Sequence, residues 1–168
     1  MRKVSGASIA MVMIIALYFT LFWGHDVLRV FLSPTYGLDD AWGSQSIFSI
    51  GSYFKLSPVG LMKLAAFFGA LKLAVAVFGA LGIVLRLAGS AGVARPMLEG
   101  VFILAVSIGL VTAGAAALPF NADLLLELLP PIALALIALA QIRIEYRYGE
   151  AEDMSRPSPA MALTTPAA

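Results

Sequence analysis

Four long apolar runs dominate this chain and leave few folds open to it. A helix needs roughly 20 mostly apolar residues to cross a bilayer. The runs extend from about Ser8 to Trp23, with a start as early as Ser5, from Pro58 to Leu87, from Pro96 to Leu118, and from Ala122 to Ile142, the last continuing to Tyr148. Of 168 residues, 61% are hydrophobic and only 12% charged. Ordinary soluble domains carry about a quarter charged residues, and a core this small cannot hide the excess apolar surface. Lipid is the solvent that fits. The expectation is an all-α, integral membrane four-helix bundle over residues 1–148, with a long external loop between helices 1 and 2. A disordered cytoplasmic tail, rich in Pro, Ala, Ser and acid, is expected over 149–168.

Local residues punctuate the runs. Arg2 and Lys3 precede the first run as in a signal peptide, but it ends in Tyr18, Phe19, Phe22 and Trp23, with no small-x-small cleavage site. It reads as an uncleaved anchor with Trp23 at an interface. Ser57-Pro58 and Arg95-Pro96 open the second and third runs, since proline costs nothing in a first turn. Pro119-Phe120-Asn121 reads as a turn in which Asn121 caps the fourth helix. Within that helix Pro130-Pro131 predicts a kink, or alternatively a short surface helix followed by a shorter span.

Lys and Arg set the orientation. Arg2, Lys3, Arg86, Arg95, Arg143, Arg147 and Arg156 flank one side, against Arg29 and Lys55 on the other. Both termini are therefore expected in the cytoplasm, and the Ala-, Gly- and Leu-rich composition suits a bacterial inner membrane. The loop from Gly24 to Ser57 falls outside. Val27 to Leu32 either continue the first helix or form an interfacial turn, and Ser33-Pro34 ends it. Tyr36, Trp42, Phe48, Tyr53 and Phe54 then place the loop against headgroups or another protein.

Ionisable groups inside a membrane are costly and mark candidate sites. Four stand out: Lys63, Lys72, Glu99 and Glu127. At about 100° per residue, Lys63 and Lys72 lie on opposite faces. Lys63 snorkels near the outer end. Lys72 shares a heptad with Ala65, Gly69, Ala76, Gly79, Ile83 and Arg86, a seam of small residues that lets helices approach closely. The third run has its own packing stripe of Ala105, Gly109, Thr112 and Ala116. No acid appears at the depth of Lys72, and Glu127 is the nearest carboxylate. Glu127 shares a helix face with Pro131, Leu134, Ala138, Gln141 and Glu145. Glu99 is expected to pair with Arg95 or Arg86, or to favour the helix start. Asp26 and Arg29, at i and i+3, read as a surface pair beside His25.

These features narrow the function without naming it. With no cysteine, one histidine and no carboxylate cluster in the apolar runs, a membrane enzyme has least support, and neither a metal site nor a cofactor is expected. A net charge of +1 argues against nucleic acid as a partner. Seams, an unmatched lysine and an aromatic loop suggest an accessory or structural subunit of a larger membrane complex, its partners being lipid and other subunits or further copies of itself. The alternative is a small transporter or channel with Lys72 and Glu127 in its pathway.

Overall fold

A computed structural model describes residues 6–39, 44–117 and 122–155 of the chain. Arg2, Lys3, Ser5, Trp42, residues 119–121 with their expected turn and cap, and residues 156–168 lie outside the described residues. Among the described residues the secondary structure is entirely helical: α1 (Gly6–Leu32), α2 (Gln45–Tyr53), α3 (Pro58–Leu87), α4 (Ala91–Ala117) and α5 (Ala122–Ser155). All but α2 contain a stretch long and apolar enough to cross a membrane, the one in α5 being Leu125–Arg147.

Local residues decide the extent of three helices. α1 runs past Trp23 to Leu32, the continued helix being the one of the two expected forms that occurs, because nothing between Gly24 and Leu32 breaks a helix and Ser33-Pro34 is the first stop. α4 does not begin at Pro96. Ser90 starts it one turn earlier, accepting the N–H groups of Val93 and Ala94 at 3.2 and 3.0 Å, and Pro96 is carried inside at the loss of one backbone bond. α5 runs through Pro130 and Pro131 without interruption, so the surface helix followed by a shorter span does not form. The expected tail begins at Gly149, while α5 carries helix through Ser155.

The stretch between α1 and α3 is not a bare loop. It contains α2, which packs on α3 and α4 and buries Ile47, Ile50 and Gly51. A Schellman-type end closes α2. Lys55 N–H bonds to Ser52 O and Leu56 N–H to Gly51 O, with Lys55 at φ 51° where glycine is usual. At the end of α3 the same motif has its glycine, Gly89 at φ 81°. Ser57 caps the start of α3, its Oγ accepting Gly60 N–H at 3.2 Å ahead of Pro58.

The four long helices form a ring in the order α1, α3, α4, α5. α1 packs chiefly on α3, α3 on α4 and α4 on α5, while α1 and α5 meet over a much shorter length. Phe19, Phe102, Val75 and Ile142 are the largest fully buried side chains. Large apolar residues such as Ile14, Leu21, Val84 and Leu126 remain more than half exposed on the outer faces. That arrangement suits a bundle surrounded by hydrocarbon, where only the small-residue and polar faces must be covered.

Candidate functional site

Small residues set how closely the helices approach. A Cβ added at Gly79 would lie 2.6 Å from Thr20 Oγ1, and one at Gly109 2.5 Å from Ile132 Cγ1. A Cβ at Gly24 would touch Ala76, and one at Gly69 would meet Val30 and Phe31. These approaches set the register of α1 against α3, with 20, 24 and 30 opposite 79, 76 and 69. Ala65, Gly69, Ala76 and Gly79 are buried on α3, as are Ala105, Gly109, Thr112 and Ala116 on α4. The Thr112 hydroxyl donates to its own helix, to Ile108 O at 2.7 Å, and makes no interhelical bond.

That register brings Asp26 level with Lys72, and the two side chains form an ion pair. The sequence reading missed this partner, because it ended the apolar span at Trp23 and so placed Asp26 at the surface even where the helix was expected to continue. Asp26 therefore serves as the partner of Lys72, in place of the expected surface pair with Arg29. Both members of the pair are mostly buried, at 23% and 20% side-chain exposure.

The pair stands in the wall of a cavity of about 400 Å³ at the α2 end of the bundle. The cavity exists because α1 and α5 diverge there, whereas at the opposite end Ser8 Oγ donates to Gln141 Oε1 at 2.7 Å and holds them together. Glu127, on α5, lines the same space as Lys72, together with His25 and Arg29 of α1. Lys63 lies outside it, exposed on α3. Most of the wall is apolar, with Phe22, Trp23, Phe68 and Ile108 among its members. The 33–39 segment, whose Tyr36, Gly37 and Leu38 line the cavity, is tied by Asp39, which accepts from Thr35 Oγ1 at 2.6 Å and Ser33 Oγ at 3.2 Å. The Thr35 hydroxyl, then the turn backbone and Ser33, with Arg29 nearby, hold the Asp39 carboxyl below its ordinary range.

A second polar cluster closes the opposite end. Glu145 is 3% exposed and accepts from Arg86 Nη2 at 3.2 and 3.1 Å and from Arg95 Nε at 3.0 Å. Arg95 also lies over the Tyr146 ring, 5.9 Å from its centroid. Two guanidinium groups thus share one carboxylate, and Arg86 Nη1 is buried without a partner. Glu99 pairs with Arg143 at 2.7 Å, not with Arg95 or Arg86 as expected, because Glu145 already holds both of those arginines. The helical spacing of Glu145 with Gln141 and Ala138 placed it on a shared face. Its role as the common acid for Arg86 and Arg95 depends on the α3–α4–α5 packing.

Chemically, the cavity offers fixed charges in an apolar enclosure, the arrangement of a binding site. Among the described residues, no group of three His, Cys, Asp or Glu side chains converges to hold a metal ion. Comparison with protein-family models, with curated proteins and with solved structures found no match. The class that the fold defines is a helical polytopic protein with four membrane-capable helices.

Proposed function

We infer that this chain is a small transporter of a bacterial inner membrane, with both termini in the cytoplasm and its binding cavity in the outer half of the bilayer. One observation carries the reading: Lys72, paired with Asp26, and Glu127 line a single cavity of about 400 Å³. Two features agree with it. The Arg86–Glu145–Arg95 cluster plugs the end of the bundle opposite the cavity. The Lys and Arg excess falls at that plugged end, which by the positive-inside tendency is cytoplasmic. A cavity at one end with a charged cluster at the other supports the reading of a transporter accessible from one side.

The chain has no cysteine, so one introduced thiol reports access without background. Thr112→Cys places it in the cavity wall. In intact cells a membrane-impermeant maleimide is expected to label it from outside, and in inside-out vesicles labelling is expected to fail. Protection from both sides overturns the reading.

An accessory subunit of a larger membrane complex is the second reading. The Asp26 pairing removes the unmatched lysine that suggested it. What favours it is the exposed patch at the joint of α2 and α3, where Tyr53, Phe54 and Val59 are each 60% exposed or more beside Lys63. Exposed aromatics of this kind fit a partner or a headgroup layer. Stoichiometric co-purification of another membrane protein in mild detergent supports this reading over transport.

A further inference from the structure

Not every charge facing the cavity is neutralised. Lys72 is paired with Asp26. Arg29 has an interaction of its own and acts on Asp39. Glu127 has neither a hydrogen bond nor an ion pair among the described residues. Beside it stand Pro130 and Pro131, which also line the cavity. They lack the N–H groups that the carbonyls of Leu126 and Glu127 would accept from in a regular helix. An unpaired carboxylate and two carbonyls freed by proline thus sit at one place on α5. On the α1 side, Tyr18 and Phe22 are stacked, with ring centroids 5.4 Å apart and planes within 10°. Trp23 lines the cavity with them.

We propose that the cavity binds a monovalent lipophilic organic cation, with Glu127 as its counter-charge and the α1 aromatic rings as its walls. The charge follows from what remains unmatched. An anion must first displace Asp26 from Lys72, whereas a cation meets a free carboxylate. The organic character follows from the wall, since aromatic faces attract cations and an apolar enclosure rewards a hydrophobic body. A bare divalent ion needs several converging oxygen ligands, and among the described residues no such cluster of side chains exists. The size agrees, because drug-sized ligands occupy cavities of roughly 300–1,000 Å³.

This inference rests on the transport reading, because it needs an accessible cavity. The probes are tetraphenylphosphonium and tetraphenylborate, matched in shape and opposite in charge. Each is titrated against the purified full-length chain in a non-ionic detergent, with empty micelles as the baseline. Saturable binding of the phosphonium and none of the borate is expected. Glu127→Gln should weaken the phosphonium at least about tenfold, consistent with the loss of one charge contact in an apolar site. Lys63→Met, outside the cavity, should leave it unchanged. Glu127 is exposed and unpaired, and a melting curve of the Gln variant matching the parent establishes that the fold persists. Equal binding of both probes, unaltered binding by Glu127→Gln, or no saturable phosphonium binding each overturns the proposal. Labelling at Thr112→Cys separates the two levels. A labelled cavity that ignores the phosphonium sinks the ligand class alone, and an unlabelled one sinks the transport reading.

Discussion

The Lys72–Asp26 and Arg86–Glu145–Arg95 contacts are mostly shielded from solvent, unlike Glu99–Arg143, so removing one partner there should cost more than the contact is worth. Lys72→Met keeps the side-chain length but leaves Asp26 mostly buried and alone. A loss of about 2 kcal/mol is expected in detergent-monitored unfolding, less than for a fully buried pair because both groups retain some solvent. The double variant Lys72→Met/Asp26→Asn should recover much of it, and a double variant no better than the single would show that the pair does not couple. Glu145→Ala should cost about 3–5 kcal/mol, since it strands Arg86 and Arg95 in a site where Arg86 Nη1 already lacks a partner. At Asp39 the sign is the familiar one for an acid stabilised in the fold. Its folded pKa lies below the unfolded one, so its contribution is complete above the ordinary carboxylate range and disappears as pH falls through the folded value. Thr35→Val should raise the Asp39 carboxyl toward its ordinary value, read by NMR titration. No change would mean that the Thr35 hydroxyl is not the main cause.

At the scale of elements, glycine determines which helices touch. Gly79→Val pushes a branched side chain into Thr20 and separates α1 from α3. A destabilisation of about 1–3 kcal/mol is expected, with loss of the Lys72–Asp26 register. Gly100→Val is the control, because a Cβ there meets nothing within 4 Å. Equal melting temperatures for the two variants would remove the case for a close α1–α3 approach. Much of this architecture is readable without coordinates. Run length marks the four membrane-capable helices, and the heptad of small residues marks the face of α3 that is buried. Three features are not readable in that way. Asp26 escapes because a charge after Trp23 resembles the end of a span, so a helix continued to Ser33-Pro34 is still read as carrying Asp26 at the surface, and only the α1–α3 register brings it to Lys72. α2 escapes because its nine residues, with serines at 46, 49 and 52, carry too weak a pattern to separate from a loop. The pairing of Glu99 with Arg143 depends on which acid reaches Arg86 and Arg95 first, and only the packed bundle decides that.

For the whole molecule, two asymmetries coincide. One is geometric: α1 and α5 are joined by Ser8 and Gln141 at one end and diverge around the cavity at the other. The second is electrostatic: Arg86, Arg95 and Arg143 belong to the joined end, together with Arg147, while Arg29 and Lys55 belong to the diverging end. Positive residues resist translocation, so the joined end should remain in the cytoplasm and the cavity should face outward. On the transport reading this orientation would set the side from which a ligand arrives, and it can be tested apart from any ligand. A reporter active only in the periplasm, fused after residue 168, should stay silent, and one that folds only in the cytoplasm should be active. Adding three lysines between Leu38 and Ser44 should weaken or invert that pattern, because the basic excess would then be divided between the two sides. Periplasmic activity of the unmodified fusion would place the Arg86–Glu145–Arg95 plug outside and the cavity toward the cytoplasm. Binding could survive that result, but the direction of access would be reversed and Thr112→Cys should then label only in inside-out vesicles.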